Sequence, residues 1–310
     1  MAGVTTAVQI ADYGGPEAVF VGPRPRPEPG AGEVLVRAAA WGVNPIDWKI
    51  REGVRQATIP LVMPAVLGCD LCGVVEAAGP GVEGYAPGDL VFGMTGLHGA
   101  FAEHVAIGAD KLAPKPAALT EVEAAAVPLA ALTAWQGLAL AGLGPGQSVL
   151  IHAGGGGVGA FAVQIARARG ARVVATASAE KADYVLSLGA EQVIDYRAAR
   201  FEEVAGDLDV VFDLIGGETQ DRSWRLLKPG GVLISAVAVP PAGDHRPGGR
   251  RNARVGVRPV GADLKQIAAL IDAGRLKVHV EATFPLAEAA AAIERVKQGR
   301  TRGKLVLTRG

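Results

Sequence analysis

The sequence predicts an α/β protein in two parts, a compact barrel-like β domain and a doubly wound parallel-sheet domain. Three observations carry that reading. Up to about residue 120, short β-branched runs are joined by Gly, Pro and Asp turns. Beyond Thr120, β and α segments alternate strictly, which argues for a parallel sheet. Between an apolar strand and an apolar helix stands Gly154-Gly155-Gly156-Gly157-Val158-Gly159, a turn built for close backbone approach.

The elements follow in order. Residues 4–10 and Glu33-Val34-Leu35-Val36-Arg37-Ala38-Ala39 read as strands. The Pro-rich stretch 22–32 between them cannot be helix, since proline lacks the N–H that a helix needs. Gly73-Val74-Val75-Glu76-Ala77-Ala78, Asp89-Leu90-Val91-Phe92 and Ala100-Phe101-Ala102-Glu103-His104-Val105 extend the β pattern. Thr120-Glu121-Val122-Glu123 has the form of a capping box and opens a helix. After the turn Gly144-Pro145-Gly146 come strand 148–152, a helix at about 158–169 and strand 171–177. Helix 180–188, strand 192–194, helix 201–204, strand 208–214, helix 219–227 and strand 231–236 complete the alternation. The stretch 240–254, rich in Pro, Gly and Arg, reads as a mobile surface loop. Helices at 263–273 and 286–298 precede a closing strand, Lys304-Leu305-Val306-Leu307-Thr308. The expected organisation is a β domain of residues 1–121 and 258–310, interrupted by a nucleotide-binding domain at 122–257.

Composition narrows the function. Lys+Arg and Asp+Glu both number 31, so no global charge draws the chain toward nucleic acid or an anionic membrane surface. The arginines of the 240–254 stretch (Arg246, Arg250, Arg251, Arg254) read as solvated charge. Residues 124–166 contain no Asp, Glu, Lys or Arg, but Pro128, Gln136, Gly142, Pro145 and His152 interrupt them well short of the ~20 apolar residues of a membrane span. Two cysteines and a start without a basic, apolar leader point to the cytoplasm. Glycine, 43 residues of 310, stands at about twice ordinary usage, so backbone geometry is being used.

Gly154, Gly156 and Gly159 satisfy G-x-G-x-x-G in the context that motif requires, strand before and helix after. The glycines permit a tight turn, access to a pyrophosphate and close helix packing, while the helix N-terminus offers N–H groups and partial positive charge. An NAD site carries an acid at the end of the next strand, but here that end reads Ala175-Thr176-Ala177-Ser178. Ser178, Lys181, Tyr196 and Arg197 are instead donors for a 2′-phosphate. The expected cofactor is NADPH.

Cys69-Asp70-Leu71-Cys72 is a lone C-x-x-C in an apolar setting, and a structural zinc site needs four ligands. The five histidines show no ligand spacing, and His152, at a strand end, reads as structural. No metal is expected.

Asn44-Pro45-Ile46-Asp47-Trp48-Lys49, Gly68-Cys69-Asp70, Gly88-Asp89-Leu90-Val91-Phe92-Gly93, Leu132-Thr133-Ala134-Trp135, the glycine turn, Pro229-Gly230-Gly231 and Arg302-Gly303-Lys304-Leu305-Val306-Leu307 occur in order along the chain. With them the chain resembles the medium-chain dehydrogenase/reductase superfamily, and within it the zinc-independent, zeta-crystallin-like quinone oxidoreductases. The resemblance implies a GroES-like β-barrel catalytic domain, a Rossmann NADPH-binding domain and a homodimer. It places the phosphates at Gly156, Gly157 and Val158, within the glycine turn that also includes Gly155. The 2′-phosphate falls at Ser178, Lys181 and Tyr196, and the nicotinamide side at Asn44 and Thr133. Lys304 also joins the cofactor residues. Where the zinc alcohol dehydrogenases carry a ligand Cys this chain has Asn44, and where they carry Gly-His-Glu it has Gly68-Cys69-Asp70. Lys49 stands where bacterial quinone oxidoreductases often have Tyr, which leaves the substrate open between quinones and α,β-unsaturated carbonyls.

Such acceptors take hydride without a Lewis acid, because the charge delocalises. Asn44, with Lys49 or Thr133, is the expected oxyanion partner. Two rival readings are a non-catalytic NADPH-binding structural or sensor protein and an alcohol dehydrogenase-type activity on small alcohols or aldehydes.

Overall fold

The computed structural model describes residues 3–237 and 248–309. They form two compact units, Met1–Leu129 with Arg258–Gly274 and Val278–Gly310, and Ala130–Val257 with Arg275–Lys277.

The first unit opens with β1 (Val4–Ile10), β2 (Val19–Pro25), β3 (Glu33–Val43), α1 (Pro45–Arg51) and β4 (Ala65–Val66). It continues through β5 (Asp70–Ala78), β6 (Leu90–Met94), β7 (His104–Gly108), β8 (Leu112–Pro114) and α2 (Glu121–Ala125). α3 (Pro128–Leu140) then leads toward the second unit. β2 enters the stretch expected to be a Pro-rich connection. Its Pro23 and Pro25 are accommodated because β2 is the edge of a three-stranded sheet ordered β2-β1-β4. The strand expected at 100–105 begins later, at His104, since the Ala102 N–H turns back to the Ala100 carbonyl (2.7 Å). α2 starts on the expected capping box: the Glu123 N–H donates to Thr120 Oγ1 (3.2 Å) and the Thr120 N–H to Glu123 Oε2 (2.9 Å).

The second unit contains β9 (Ser148–Ile151), α4 (Gly157–Ala168), β10 (Arg172–Ala177), α5 (Ala182–Ser187) and β11 (Gln192–Asp195). α6 (Phe201–Val204), β12 (Leu208–Asp213), α7 (Gly217–Ser223), β13 (Leu227–Ser235) and β14 (Arg251–Arg254) follow. The six strands run parallel in the order β11-β10-β9-β12-β13-β14. The succession of strands reverses direction at β9, which makes the ends of β9 and β12 the place where a doubly wound sheet binds ligands. Residues 251–254, expected to be loop, are strand β14, paired with β13 along its full length. The remainder of that expected loop, including His245 and Arg246, lies largely outside the described residues. Leu150, Val174, Val211, Trp224 and Leu233 are among the core residues here.

α8 (Gly261–Asp272), β15 (Val280–Pro285), α9 (Ala289–Lys297) and β16 (Lys304–Thr308) return the chain to the first unit. β16 lies parallel to β15 and antiparallel to β3, in a sheet ordered β15-β16-β3-β5-β6-β8, with β7 also on β3. Trp41, Leu67, Leu71 and Phe101, all fully buried, fill its core together with Leu305 and Leu307 of β16.

Candidate functional site

In the second unit, β9 runs through His152 and Ala153 into the glycine turn. Ala153 takes a positive φ of 52°, which strains a residue with a Cβ and marks an over-determined bend. The Gly154 N–H donates to the Thr176 carbonyl of β10 (2.9 Å). A Cβ at Gly154 would lie 2.8 Å from the Ala175 Cβ, and one at Gly159 would lie 2.1 Å from the Ala153 carbonyl oxygen. Gly159 thereby lets α4 close onto the turn. At Gly156, the N-cap of α4, a Cβ would meet only the Ala153 carbonyl oxygen, at a contact distance of 3.4 Å, so packing leaves this position the least crowded of the three motif glycines. Gly157, Val158 and Gly159 form the first turn of this twelve-residue helix, whose leading N–H groups have no helical acceptor. The turn therefore fits a pyrophosphate: an uncrowded backbone at Gly156, donors at the helix start, and no room for side chains where packing is tight.

His152 braces the bend from behind. Thr176 Oγ1 accepts from the Ala153 N–H (3.2 Å) and bonds His152 Nδ1 (3.1 Å). His152 Nε2 bonds Ser223 Oγ (2.9 Å), and Ser223 donates onward to the Thr219 carbonyl (2.6 Å). With Ser223 spending its proton on a carbonyl, His152 is the Nε2–H tautomer. Burial pushes its pKa down to about 4, so the ring is neutral. Asp213, fully buried at the end of β12, fixes the facing loop. It accepts from the Ile215 and Gly216 N–H groups (2.9 Å each), Gln220 Nε2 (2.8 Å) and Ser235 Oγ (2.8 Å). Asp213 went unnoticed in the sequence, although an acid closing an apolar strand was the available signal.

The residues assigned to the 2′-phosphate gather beyond β10 and β11. Ser178 is 5% exposed. The Lys181 side chain lies across the turn, its Cδ 2.9 Å from where a Gly155 Cβ would stand. The Arg197 guanidinium sits 5.7 Å from the Tyr196 ring centroid and pairs with Glu180 (3.2 Å).

In the first unit, Asn44 caps α1 and its N–H donates to Asp47 Oδ2 (2.7 Å). Its side-chain Nδ2 donates to the Gly42 carbonyl (3.1 Å) and to Asp70 Oδ2 (2.9 Å), while its Oδ1 accepts from Lys304. Lys304, 4% exposed, also donates to the Val43 carbonyl (2.7 Å) and stands 3.9 Å from Asp70. Asp70 Oδ1 accepts from the Leu129 N–H (2.8 Å), and Cys69 Sγ lies 3.6 Å from Asp47 Oδ1. Burial raises Asp47 to about 7 and Asp70 to about 6, against the pull of Lys304 in both. Burial likewise lowers Lys304 and pushes the Cys69 thiol well up. Both amide hydrogens of Asn44 are thus engaged within the protein, a commitment that the sequence did not reveal. Lys49 places its ammonium 5.5 Å from the Trp48 ring, and Thr133 is buried on α3 in the second unit. Among the described residues no group of three or more His, Cys, Asp or Glu is placed to hold a metal ion. No helix among them is long and apolar enough to cross a membrane.

Two family models match the chain, an alcohol dehydrogenase GroES-like domain over residues 30–117 and a zinc-binding dehydrogenase over residues 188–307. An NADPH-dependent alkenal/one oxidoreductase of the chloroplast of Arabidopsis thaliana is 34% identical, covering 96% of this chain and 78% of that protein. A 2-methylene-furan-3-one reductase of Solanum lycopersicum is 34% identical over 89% of this chain and 71% of its own. The solved structure of Escherichia coli quinone oxidoreductase complexed with NADPH superposes with a TM-score of 0.87 at 30% identity, covering 98% of this chain and 99% of that one.

Proposed function

The chain belongs to the medium-chain dehydrogenase/reductase superfamily, in its zeta-crystallin-like quinone oxidoreductase family, and from that premise we propose that it reduces quinones or other α,β-unsaturated carbonyl acceptors with NADPH. The observation that carries the reading is the glycine turn, uncrowded at Gly156, closed by packing at Gly154 and Gly159, and overlain by Lys181. NADPH, when bound, supplies the hydride. Gly154, Gly155, Gly156, Gly157, Val158 and Gly159 would hold its pyrophosphate, and Ser178, Lys181, Tyr196 and Arg197 its 2′-phosphate. We read residues 1–121 and 258–310 as the substrate domain and 122–257 as the cofactor domain.

An acceptor whose added charge spreads into an enolate or a hydroquinone anion needs donors near its oxygen rather than a Lewis acid. Lys49 or Thr133 is our candidate for that contact. Asn44 acts by positioning, because its amide ties Lys304 to Asp70. A fixed ammonium within this set of side chains supports a zinc-independent site, and stoichiometric zinc in the purified protein would contradict it. A homodimer in the cytoplasm is our reading of its state.

The test is oxidation of NADPH by the purified chain with a panel of quinones and alkenals. Turnover with at least one class is expected. NADPH binding without reduction of any acceptor would overturn the reading in favour of a non-catalytic binding protein.

A further inference from the structure

We infer that Glu180 sets the discrimination between NADPH and NADH by acting as an internal anion in the 2′-phosphate pocket. The inference rests on assigning that pocket to Ser178, Lys181 and Arg197.

Glu180 lies just beyond the end of β10, in a short turn that opens on Ser178. Its Oε1 is 3.2 Å from Arg197 Nη1, and its Oε2 accepts from Ser178 Oγ at 3.4 Å. One carboxylate is therefore shared between donors from two segments, one after β10 and one after β11. Anions are held by this arrangement of a hydroxyl and a guanidinium. Lys181, the neighbour of Glu180, extends over Gly155, so positive charge continues from the pocket to the glycine turn.

The phosphate of NADPH and the Glu180 carboxylate compete for the same donors and repel one another. The side chain is 75% exposed, so it can swing into water and leave Ser178 and Arg197 to the phosphate. With NADH there is no phosphate to displace it. The carboxylate can then stay and accept from the ribose 2′-hydroxyl, the task of the strand-end acid in NAD sites. Glu180 thus weakens NADPH, supports NADH and narrows the preference between them.

Calorimetric titration of the cofactor-free chain with NADPH, NADH, 2′,5′-ADP and 5′-ADP tests this without reference to turnover. Glu180→Gln keeps the side chain's size and removes its charge. It should tighten NADPH and 2′,5′-ADP by about two- to fivefold, the scale of an exposed ion pair. NADH should weaken or stay unchanged. Arg197→Ala, measured alongside, should weaken NADPH and 2′,5′-ADP while sparing NADH and 5′-ADP. If Arg197→Ala and Ser178→Ala both leave NADPH affinity intact, the pocket assignment itself fails. If Arg197→Ala acts as expected and Glu180→Gln leaves the NADPH-to-NADH affinity ratio unchanged or lowers it, the pocket stands and the role of Glu180 is refuted.

Discussion

At Gly159 a methyl group would lie 2.1 Å from the Ala153 carbonyl oxygen, whereas at Gly156 it would meet nothing closer than 3.4 Å. Two alanine substitutions three residues apart should therefore fail differently. Gly159→Ala forces α4 away from the bend and should cost about 1–3 kcal/mol, read from denaturant midpoints, along with NADPH affinity. Gly156→Ala should change stability by no more than about 0.5 kcal/mol while raising the Kd for NADPH, because its methyl fits the fold but stands where the pyrophosphate would approach. At this scale the shape of the glycine turn was legible, since its glycines lie near their partners in sequence. The commitment of Asn44 was not, because Lys304 is 260 residues away and no local pattern announces the pair. Glu180 is hard to read from the sequence for another reason: the acid of an NAD site closes the second strand, and Glu180 stands slightly beyond the end of β10.

Among the elements, the strands that sequence patterning missed are β2, β4, β8, β14 and β15, and each is an outer member of its sheet. An edge strand buries one side poorly and tolerates Pro23, Pro25, Arg251 and Arg254, so its apolar alternation fades. Central strands such as β9, β12 and β16 kept the full signal. The helix α1 was overlooked although Asn44, Pro45 and Asp47 supply a cap, a first-turn proline and an acid three residues on. The cap of α2 was read correctly and can be weighed. Thr120→Ala removes the acceptor of the Glu123 N–H and should cost about 1 kcal/mol in unfolding free energy, with NADPH affinity unchanged.

Across the whole molecule, the buried carboxylates of the first unit and the buried imidazole of the second respond to pH with opposite sign. Asp47 and Asp70 titrate at about 7 and about 6 in the fold, above the ordinary carboxylate range. Between roughly pH 4 and those values the folded chain holds protons that the unfolded chain has released, so they lower stability as pH rises. His152, held near 4, works the other way. Below its unfolded value, about 6.5, the unfolded chain takes up a proton that the fold refuses, removing about 2 kcal/mol by pH 5. Burial also holds His98, His104 and His279 of the first unit below the ordinary imidazole value, so the carboxylate contribution is read by difference. Hydrogen exchange, corrected for intrinsic rates, should show the first unit losing more protection between pH 5 and pH 7 in the unsubstituted chain than in Asp47→Asn, with the second unit the same in both.

The position of β16 between β15 and β3 also bears on how the protein is made. Lys304 emerges from the ribosome 260 residues after Asn44, and every residue of the second unit is synthesised in between. The parallel sheet can assemble while residues 40–43 of β3 still lack their partner strand, and closing a loop of that length slows the final pairing. During that interval Asp70 has no ammonium beside it and Asn44 has nothing on its carbonyl oxygen. A nascent chain stalled before β16 would therefore carry a finished parallel sheet and, in its first unit, a wet, unneutralised acid pair and an open strand end, the kind of surface that chaperones hold.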